Sequence, residues 1–525
     1  MARFATLALV LALRAQATLT VLTTNGHITG HAAPGLEAVT EYLGIPFAKP
    51  PTGNLRFAPP QPFVGTKPYV AANYGYGCPD TPNPAVGFPD FTPQAQQVIN
   101  YFSANSGAPQ SEDCLTLNIW TPDNSTGVDC ADLPVMVFLY GGRFTYGVSN
   151  STFFNGARLA NAENVVVVTV NYRLNVFGYP GAPNITQNPG LRDQRLAVEW
   201  LAVNVAAFGG DRRRITLFGQ SAGGVSIDYW AYAYRKLPIV AGLISESGNA
   251  LSFPLNTANQ TLSNWYNVTK TLGCGADDGT FACMLTKNWT DIKAAAAKAP
   301  SASSGNPLRS IPAFYPSADN DTVFSNYTAL SEAGAFAKLP YLLGNNNFEQ
   351  DYLTYAGYYA LPSFKKNVTV TIAQGDSFLL NSFTCPDQFQ AASRAAHGVP
   401  VWLYRYFGDW TNINLYPANN DYPGQVVSQG SGAYHGAELE MIFGNPDLVS
   451  GKPNTPDERK MIKLMQGAWA AFARNPTSGL TTYGWPHYKP GTNSLILLAK
   501  NNTPTAEAVN PNLYFADCAS YVPSS

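Results

Sequence analysis

Residues 215–224 read Ile-Thr-Leu-Phe-Gly-Gln-Ser-Ala-Gly-Gly, a short apolar run that leads into the pattern G-x-S-x-G and then into a helix-compatible segment. A serine hydroxyl attacks a carbonyl well only where a sharp strand-to-helix turn lifts it clear of the backbone. Gly219 and Gly223 lack a Cβ and let such a turn close. The N–H groups of the following helix point at the oxygen on which negative charge develops. The pattern therefore indicates a nucleophilic Ser221 rather than an ordinary glycine-rich loop.

Alternating strand and helix patterns on both sides of this stretch predict an α/β fold. Apolar, β-branched runs typical of strands covered on both faces occupy residues 134–139, 164–170, 215–218, 241–244, 339–343, 401–407 and 495–498. Helical spacing occurs at 191–208 and 460–473. The alternation predicts a mostly parallel sheet with helices on both faces. Residues 251–335 interrupt it and are predicted to form a mainly helical cap insertion.

The N-terminus has the three parts of a secretory signal. A basic start, Met1-Ala-Arg3, precedes the apolar run 4–13, and Ala15-Gln16-Ala17 supplies a small-x-small cleavage site. We expect a signal peptide at residues 1–17 and one domain over residues 18–525. The apolar run is too short to span a bilayer, and no transmembrane segment is predicted. Ten N-x-S/T sites fit a glycosylated, secreted, extracellular protein: Asn124, Asn150, Asn184, Asn259, Asn267, Asn288, Asn320, Asn326, Asn367 and Asn501.

Composition excludes several partner classes. The net charge is −2 and only 13% of residues are charged, which speaks against nucleic acid or an anionic membrane surface as partner. His27 and His31 lie four apart, but in a segment where Asn25-Gly26 predicts a hairpin turn. Neither H-E-x-x-H nor paired C-x-x-C occurs. We expect no metal and no cofactor.

Seven cysteines in an oxidising compartment allow three disulfides and one free thiol. Cys274 and Cys283 are close enough in sequence to close a short loop, and Cys78 and Cys114 bracket a proline-rich segment. The connectivity of Cys130, Cys385 and Cys518 stays open; we prefer the pair Cys385–Cys518, which leaves Cys130 free.

A serine nucleophile needs an orienting acid and a base, and in such folds the order along the chain is serine, acid, histidine. His435 lies in the flexible stretch Gly432-Ala-Tyr-His-Gly436 and is the preferred base, whereas His397 and His487 are interpreted as structural. Glu349, just beyond the 339–343 strand, is the preferred acid, with Asp351 as the alternative. The oxyanion hole is expected to combine the N–H of Ala222 with the turn Tyr140-Gly-Gly-Arg-Phe144.

Four stretches together resemble the type-B carboxylesterase/lipase family, which includes cholinesterases and fungal-type lipases on the α/β-hydrolase fold. They are Tyr42–Pro46 with Pro50-Pro51 and Leu55-Arg-Phe57; Ser111–Pro122 (SEDCLTLNIWTP); Phe208-Gly-Gly-Asp211 leading to 218–224; and Tyr434-His-Gly436. The resemblance covers residues 20–490. It implies Ser221 as nucleophile, Glu349 as acid and His435 as base. It also implies Gly142, Arg143 and Ala222 at the oxyanion positions and the disulfides Cys78–Cys114 and Cys274–Cys283.

Three departures from the family pattern bear on specificity. The family usually has glycine at the position of Arg143, where a side chain is strained by roughly 1–2 kcal/mol if φ is positive. We expect that side chain to turn to solvent; the alternative is that it favours anionic substrates. Gln220 stands where the family commonly has glutamate, which weakens attraction for cations. No tryptophan lies between Cys78 and Cys114, so the choline-binding indole has no counterpart there.

The predicted function is a secreted serine carboxylesterase that acts through an acyl-serine intermediate on small-molecule or lipid esters. Aromatic and aliphatic residues in segment 85–106 are compatible with a mobile lid that touches a lipid surface or with a fixed, disulfide-closed loop. A lipase or sterol esterase is therefore the first alternative. A catalytically inactive, cholinesterase-like binding protein is the second.

Overall fold

The computed structural model describes residues 19–81, 91–102, 107–123, 132–277, 279–302, 305–351, 353–354, 367–416 and 430–523. The predicted signal peptide, the sequon at Asn124 and the thiol of Cys130 lie outside these ranges.

Strands are numbered β1 to β14 in chain order. Their bounds are Thr20–Thr23, Gly26–Thr29, His31–Ala33, Leu36–Pro46, Tyr69–Val70, Thr116–Pro122, Leu133–Leu139, Val166–Val170, Gly210–Gln220, Gly242–Glu246, Tyr341–Asn346, Val401–Tyr406, Leu495–Leu498 and Ala506–Val509.

Helices are numbered α1 to α16 in the same way. Their bounds are Ala95–Phe102, Ala157–Glu163, Asn175–Gly178, Pro189–Asn204, Ala222–Ala233, Ala258–Thr271, Thr280–Thr286, Trp289–Ala296, Tyr327–Glu332, Val368–Leu379, Cys385–Ala396, Ala437–Phe443, Pro446–Ser450, Pro456–Arg474, Gly479–Thr482 and Asn512–Phe515. A π-helical segment, Leu380–Thr384, joins α10 to α11.

The central sheet has 11 strands in the order β14-β13-β12-β11-β10-β9-β7-β8-β6-β4-β3. Seven neighbouring strands of this sheet pair in parallel, as continuous apolar runs predict: β13, β12, β11, β10, β9, β7 and β8. Antiparallel strands complete both edges. A separate sheet contains β1, β2 and β5. All seven predicted strand runs are present as β7 to β13.

Helices cover the central sheet on both faces. Phe218 of β9 packs against Phe443 of α12, with ring centroids 5.6 Å apart. A Cβ built on the next residue, Gly219, would lie 3.1 Å from Ile227 of α5. Since successive strand residues point to opposite faces, α12 and α5 lie on opposite sides of β9.

Some boundaries differ from the sequence prediction. Strand β9 begins at Gly210 rather than 215 because exposed arginines at 212 and 213 lie within it and break the apolar pattern. The predicted helix 191–208 ends as α4 at Asn204 and continues as a 3-10 turn. The hairpin turn falls on Thr24 and Asn25, because Thr23 pairs with Gly26.

Three disulfides join the cysteine pairs that the sequence favoured: Cys78–Cys114, Cys274–Cys283 and Cys385–Cys518. Between β10 and β11, over residues 251–335, the chain forms α6 to α9. Side chains of α6, α7 and α8 form a second core with Phe57 and Val176. The assignment of this segment as a cap insertion stays a prediction.

A buried ion pair ties α4 to the chain that follows β8. Arg173 binds both carboxylate oxygens of Asp193, with Nη2–Oδ1 at 2.7 Å and Nε–Oδ2 at 2.8 Å. The two side chains are 2% and 0% exposed. Arg173 also donates to the backbone oxygens of Arg56 and Ala58. Every charge on the pair is therefore matched inside the protein.

Asp193→Ala is expected to lower the free energy of unfolding by about 3–5 kcal/mol, because it leaves a buried guanidinium without its counter-ion. Denaturant unfolding monitored by fluorescence measures this. The matched control is Glu199→Ala on the same helix, where Glu199 pairs with Arg195 and is 48% exposed. That change is expected to cost about 0.3–0.5 kcal/mol. Equal losses in both variants would contradict the prediction.

Candidate active site

The parallel strands bring the predicted site residues to one edge of the sheet. Ser221 follows β9 directly, Glu349 follows β11 by three residues, and the 140–144 turn follows β7. His435 comes after β12 and precedes α12. Because these strands are parallel, their carboxyl ends meet at the same edge, where ligands bind in such sheets.

Ser221 occupies a strained turn between β9 and α5. Its φ is 57° and its ψ is −120°, outside the regions that side-chain-bearing residues ordinarily occupy. The backbone is held there from both sides: Ser221 N–H donates to the Glu246 oxygen at 2.8 Å, and Val225 N–H donates to the Ser221 oxygen at 2.9 Å. The side chain is 6% exposed. This is the geometry that G-x-S-x-G predicts.

Glycines let α5 approach the neighbouring strand ends at backbone contact distance. A Cβ on Gly223 would lie 1.9 Å from the Leu139 oxygen, and one on Gly219 would lie 2.6 Å from that oxygen. A Cβ on Gly141 would lie 2.8 Å from Cβ of Ser221. The serine turn and the turn after β7 are thus in direct contact.

The imidazole of His435 is bound to the carboxylate of Glu349. Nδ1 lies 2.5 Å from Glu349 Oε2. The other carboxylate oxygen, Oε1, accepts from the Asn346 N–H at 2.6 Å, and Glu349 is 0% exposed. Two further bonds tie the loops together: Asn346 Nδ2 donates to the Tyr434 oxygen and Phe348 N–H donates to the Ala433 oxygen. This pairing fixes the tautomer in which Nε2 is the free base nitrogen.

Nε2 of His435 faces the residue that precedes the serine. It lies 3.1 Å from Nε2 of Gln220, whose amide donates to it when Nδ1 carries the imidazole proton. Among the described contacts, Ser221 Oγ makes no hydrogen bond to His435. The structure therefore joins the predicted base and acid directly, and the residue that contacts the other nitrogen of the imidazole, Gln220, immediately precedes Ser221 in the chain. Such hydrogen bonds commonly tighten only when substrate binds.

The alternative candidates lie elsewhere. Asp351 is buried, and burial together with Asp409 raises its pKa well above the ordinary value, while a hydrogen bond to Tyr416 opposes that rise. His397 ends α11, where its Nδ1 lies 2.8 Å from the Ser393 oxygen. His487 packs on Trp402 with ring centroids 4.5 Å apart. The imidazoles of both histidines thus contact the backbone or an aromatic ring of the fold, as expected of structural residues.

Free N–H groups are present at all three predicted oxyanion positions. Within the described residues, no acceptor is bonded to the N–H of Gly142, Arg143 or Ala222. Ala222 is the first residue of α5, where a helix leaves its N–H groups unpaired. Gly142 has φ 108°, which glycine adopts without strain.

Arg143 does not turn to solvent, so the sequence prediction for its side chain was wrong. Its φ is 54°, and its guanidinium Nη2 donates to the backbone oxygen of Ser310. Burial lowers the pKa of Arg143, and nearby Tyr146 and Tyr315 oppose that change. Residues 143 and 144 both have a left-handed backbone, and the Arg143 side chain reaches segment 310–315 beside Ser221.

Sequence reasoning did not identify the buried carboxylates beneath the triad candidates. Glu438 bonds to Asn346 Nδ2, and burial raises its pKa well above the ordinary value, with Glu349 and Glu246 adding to the rise. Burial raises the pKa of Glu246 to about 8. In both groups, therefore, burial favours the protonated form of the carboxyl. The sequence offered one signal for Glu438: it is an acidic residue only three positions after His435, and it lies in the first turn of α12.

The sequence model of the Carboxylesterase family matches residues 17–376 and 365–516 of this chain. The chain belongs to this family. As a carboxylesterase family member it has the α/β-hydrolase fold and is a carboxylic ester hydrolase.

Curated relatives span nearly the whole chain. Secreted lipase 5 of Gibberella zeae is 32% identical over 519 residues, covering 93% of this chain and 91% of the relative. Chlorogenic acid esterase of Aspergillus niger is 31% identical, with 92% and 90% covered. Para-nitrobenzyl esterase of Bacillus subtilis is 30% identical, with 91% and 94% covered.

The space beside the serine is small in this carboxylesterase. A cavity of about 10 Å³ is lined by Arg143, Ser221, Ala222, Val225, Phe253, Ile311, Pro312 and Tyr315. Within the described ranges, His, Cys, Asp and Glu side chains form no group of three suited to a metal ion. In the same ranges no helix has the length and apolarity needed to cross a membrane.

Gly223→Ala is expected to lower the free energy of unfolding by about 1–3 kcal/mol or more, because its Cβ overlaps the Leu139 oxygen. Ester hydrolysis should fall as well, since the change separates the serine turn from the 140–144 turn. Thermal unfolding and an activated-ester assay measure the two effects. In the control, Gly279→Ala, the nearest atom is the flexible Asp277 Oδ1 at 3.2 Å. A variant at 223 as stable as this control would contradict the packing argument.

Proposed function

We propose that this chain is a secreted serine carboxylesterase in which Ser221 is the nucleophile, His435 the base and Glu349 the orienting acid. The observation that carries the proposal is the 2.5 Å contact from Glu349 Oε2 to His435 Nδ1, with Nε2 lying 3.1 Å from the side chain of Gln220, which precedes Ser221 in its strained turn. Family membership supports the same reaction class.

Acylation begins when His435 Nε2 takes the proton of Ser221 Oγ as that oxygen attacks the ester carbonyl. The tetrahedral oxyanion is stabilised by the N–H groups of Gly142, Arg143 and Ala222. His435 then gives its proton to the departing alcohol oxygen, which leaves an acyl-serine. Glu349 stabilises the imidazolium formed in between and does not itself take the proton.

Deacylation repeats these steps with water. His435 removes a proton from water as its oxygen attacks the acyl-serine carbonyl, and the same N–H groups stabilise the second oxyanion. The proton then passes to Ser221 Oγ, and a carboxylic acid leaves. No cofactor is required for either half of the cycle.

Between esterase and lipase, the contacts of segment 91–102 favour the esterase. Gln94 donates to the backbone oxygens of Thr411 and Asn414, and Thr92 N–H donates to the Leu415 oxygen. Phe102 packs edge-on to His435, with centroids 6.1 Å apart. A segment held at both ends and packed on the base is typical of a fixed wall rather than a lid. The alternative function, a lipase, is supported by the similarity to a secreted lipase.

Secretion is supported by several independent features. The sequence has the signal pattern at residues 1–17 and many N-x-S/T sites, and the structure holds three disulfides, which persist in oxidising compartments. Asn288, Asn326 and Asn367, three of the sequon asparagines, each cap a helix N-terminus. Mass analysis of the secreted protein before and after glycan removal tests this part of the proposal.

Ser221→Ala is expected to lower kcat on 4-nitrophenyl acetate by about 10⁶-fold, leaving only binding and oxyanion effects. The wild-type protein is assayed in parallel on an emulsified triglyceride, where a rate jump at the interface would favour the lipase. Undiminished turnover in the variant excludes Ser221 as nucleophile. A wild-type protein inactive on both substrates would support the inactive binding relative instead.

Gln220→Glu is expected to move the acid limb of the kcat/KM profile to higher pH by about one pH unit. A carboxylate beside Nε2 favours the protonated imidazole, and the protonated base cannot accept the Ser221 proton. The profile is measured with a neutral activated ester. The control is Gln97→Glu, which adds the same charge at an exposed position of α1. Profiles that coincide with the wild type for both variants would exclude His435 as the base.

A further inference from the structure

Arg143 keeps a long cationic side chain at a position where glycine fits the backbone better. Its φ of 54° is strained for any residue with a Cβ. Gly142, immediately before it, shows that this turn accommodates glycine. The strain is compensated only if the side chain contributes something that glycine cannot. The surroundings of the guanidinium indicate what that contribution is.

The guanidinium lacks a counter-ion within the described part of the chain. Its described partner is the neutral backbone oxygen of Ser310, and the nearest titratable groups are the phenols of Tyr146 and Tyr315. Arg173 and Arg394, by contrast, are buried against Asp193 and Asp228. Because a guanidinium stays charged in proteins, Arg143 presents a positive charge with donors left for an incoming anion.

Arg143 lies between the serine and a larger cavity. It lines the small cavity at Ser221 and also a cavity of about 510 Å³ that reaches residues 296–301. Of the described residues that line the larger cavity, it is the one that carries a charge. Hydroxyl-bearing residues accompany it on that wall: Thr81, Thr145, Tyr146, Ser301 and Ser310. A carboxylate in this cavity would meet one cation and several hydroxyl groups.

We propose that the Arg143 guanidinium binds a carboxylate on the ester substrate, so that this enzyme prefers esters that carry a carboxylate away from the scissile bond. The inference rests on the proposed function, because the ester itself must reach Ser221. The substrate carboxylate replaces the Ser310 oxygen as acceptor and forms a two-pronged, charge-assisted pair. Arg143 takes no part in bond cleavage through its side chain. It determines specificity.

The test compares charged and neutral esters of matched shape. One pair places the charge on the acyl side: mono-4-nitrophenyl glutarate and 4-nitrophenyl pentanoate. The other places it on the alcohol side: 4-acetoxybenzoate and its methyl ester. For each pair, the ratio of kcat/KM values, charged over neutral, is measured. Arg143→Met is expected to lower this ratio by about 10- to 100-fold in one pair at least, the effect of one charge-assisted bond. The pair that responds identifies the side that carries the anion.

Matched variants separate recognition from structure. Arg143→Lys keeps the charge and is expected to retain part of the preference for charged esters that Arg143→Met loses. The control Arg213→Met removes an equal charge from a side chain that is 84% exposed, and it should leave the ratio at the wild-type value. A purely structural role for Arg143, such as holding Ser310, would lower both rates of a pair equally. Unchanged ratios for both pairs in Arg143→Met overturn the proposal.

A second measurement needs no variant. In the wild-type protein the ratio of the responding pair should fall several-fold between about 20 and 500 mM salt, because added ions screen an approaching carboxylate. A wild-type ratio that salt does not change overturns the proposal even if Arg143→Met fails to fold. If the neutral esters are hydrolysed but the charged-to-neutral ratios respond to neither the variant nor salt, only this inference is overturned and the proposed function stands. An absence of turnover on the neutral esters would instead contradict the proposed function itself.

Discussion

A fully buried carboxylate, Glu349, sets the arrangement of the site. Removing a carboxylate from water is costly unless hydrogen-bond donors replace the water. Here the donors are the Asn346 N–H and the imidazole Nδ1 of His435. These bonds join the end of β11 to the loop before α12, two segments far apart in the chain. The imidazole of His435, the proposed base, is thereby held in one tautomer and one orientation before any substrate arrives.

The neighbouring carboxylates fit the same electrostatic constraint. Glu246 and Glu438 lie in the same buried region, and burial raises the pKa of both carboxyls, which favours their neutral forms. Several ionised carboxylates at such distances would repel one another strongly in a low-dielectric interior. Hydrogen bonds from neighbouring side chains hold these carboxyls in place, as in the bond from Trp469 Nε1 to Glu246 Oε1 at 2.6 Å. The raised pKa values of Glu246 and Glu438 reduce the repulsion that Glu349 would meet from ionised neighbours.

Most of the sheet was predictable because parallel strands buried on both faces must be continuously apolar, as β7 and β8 are. The start of β9 was not, because exposed arginines at 212 and 213 interrupt the apolar pattern between its buried first residues and residue 215. The serine turn was predictable from local chemistry. The contact between Gln220 and His435 was not, since 215 residues separate them and only the strand order brings them together. The direction of the Arg143 side chain likewise depended on a backbone φ that the sequence does not specify.

Two departures from the family pattern act on the site in the same direction. Gln220 withholds a negative charge next to His435, and Arg143 adds a positive charge at the oxyanion turn. Each change alone makes the net charge of the site more positive by one unit. Together they make it two units more positive than a site with glutamate and glycine at these positions. In a partly enclosed, low-dielectric site such a difference attracts anions and disfavours cations. The missing tryptophan between Cys78 and Cys114 removes a further means of holding a cation. Under the proposed function, charge as well as the shape of the apolar walls therefore distinguishes this site from one with glutamate and glycine at these two positions.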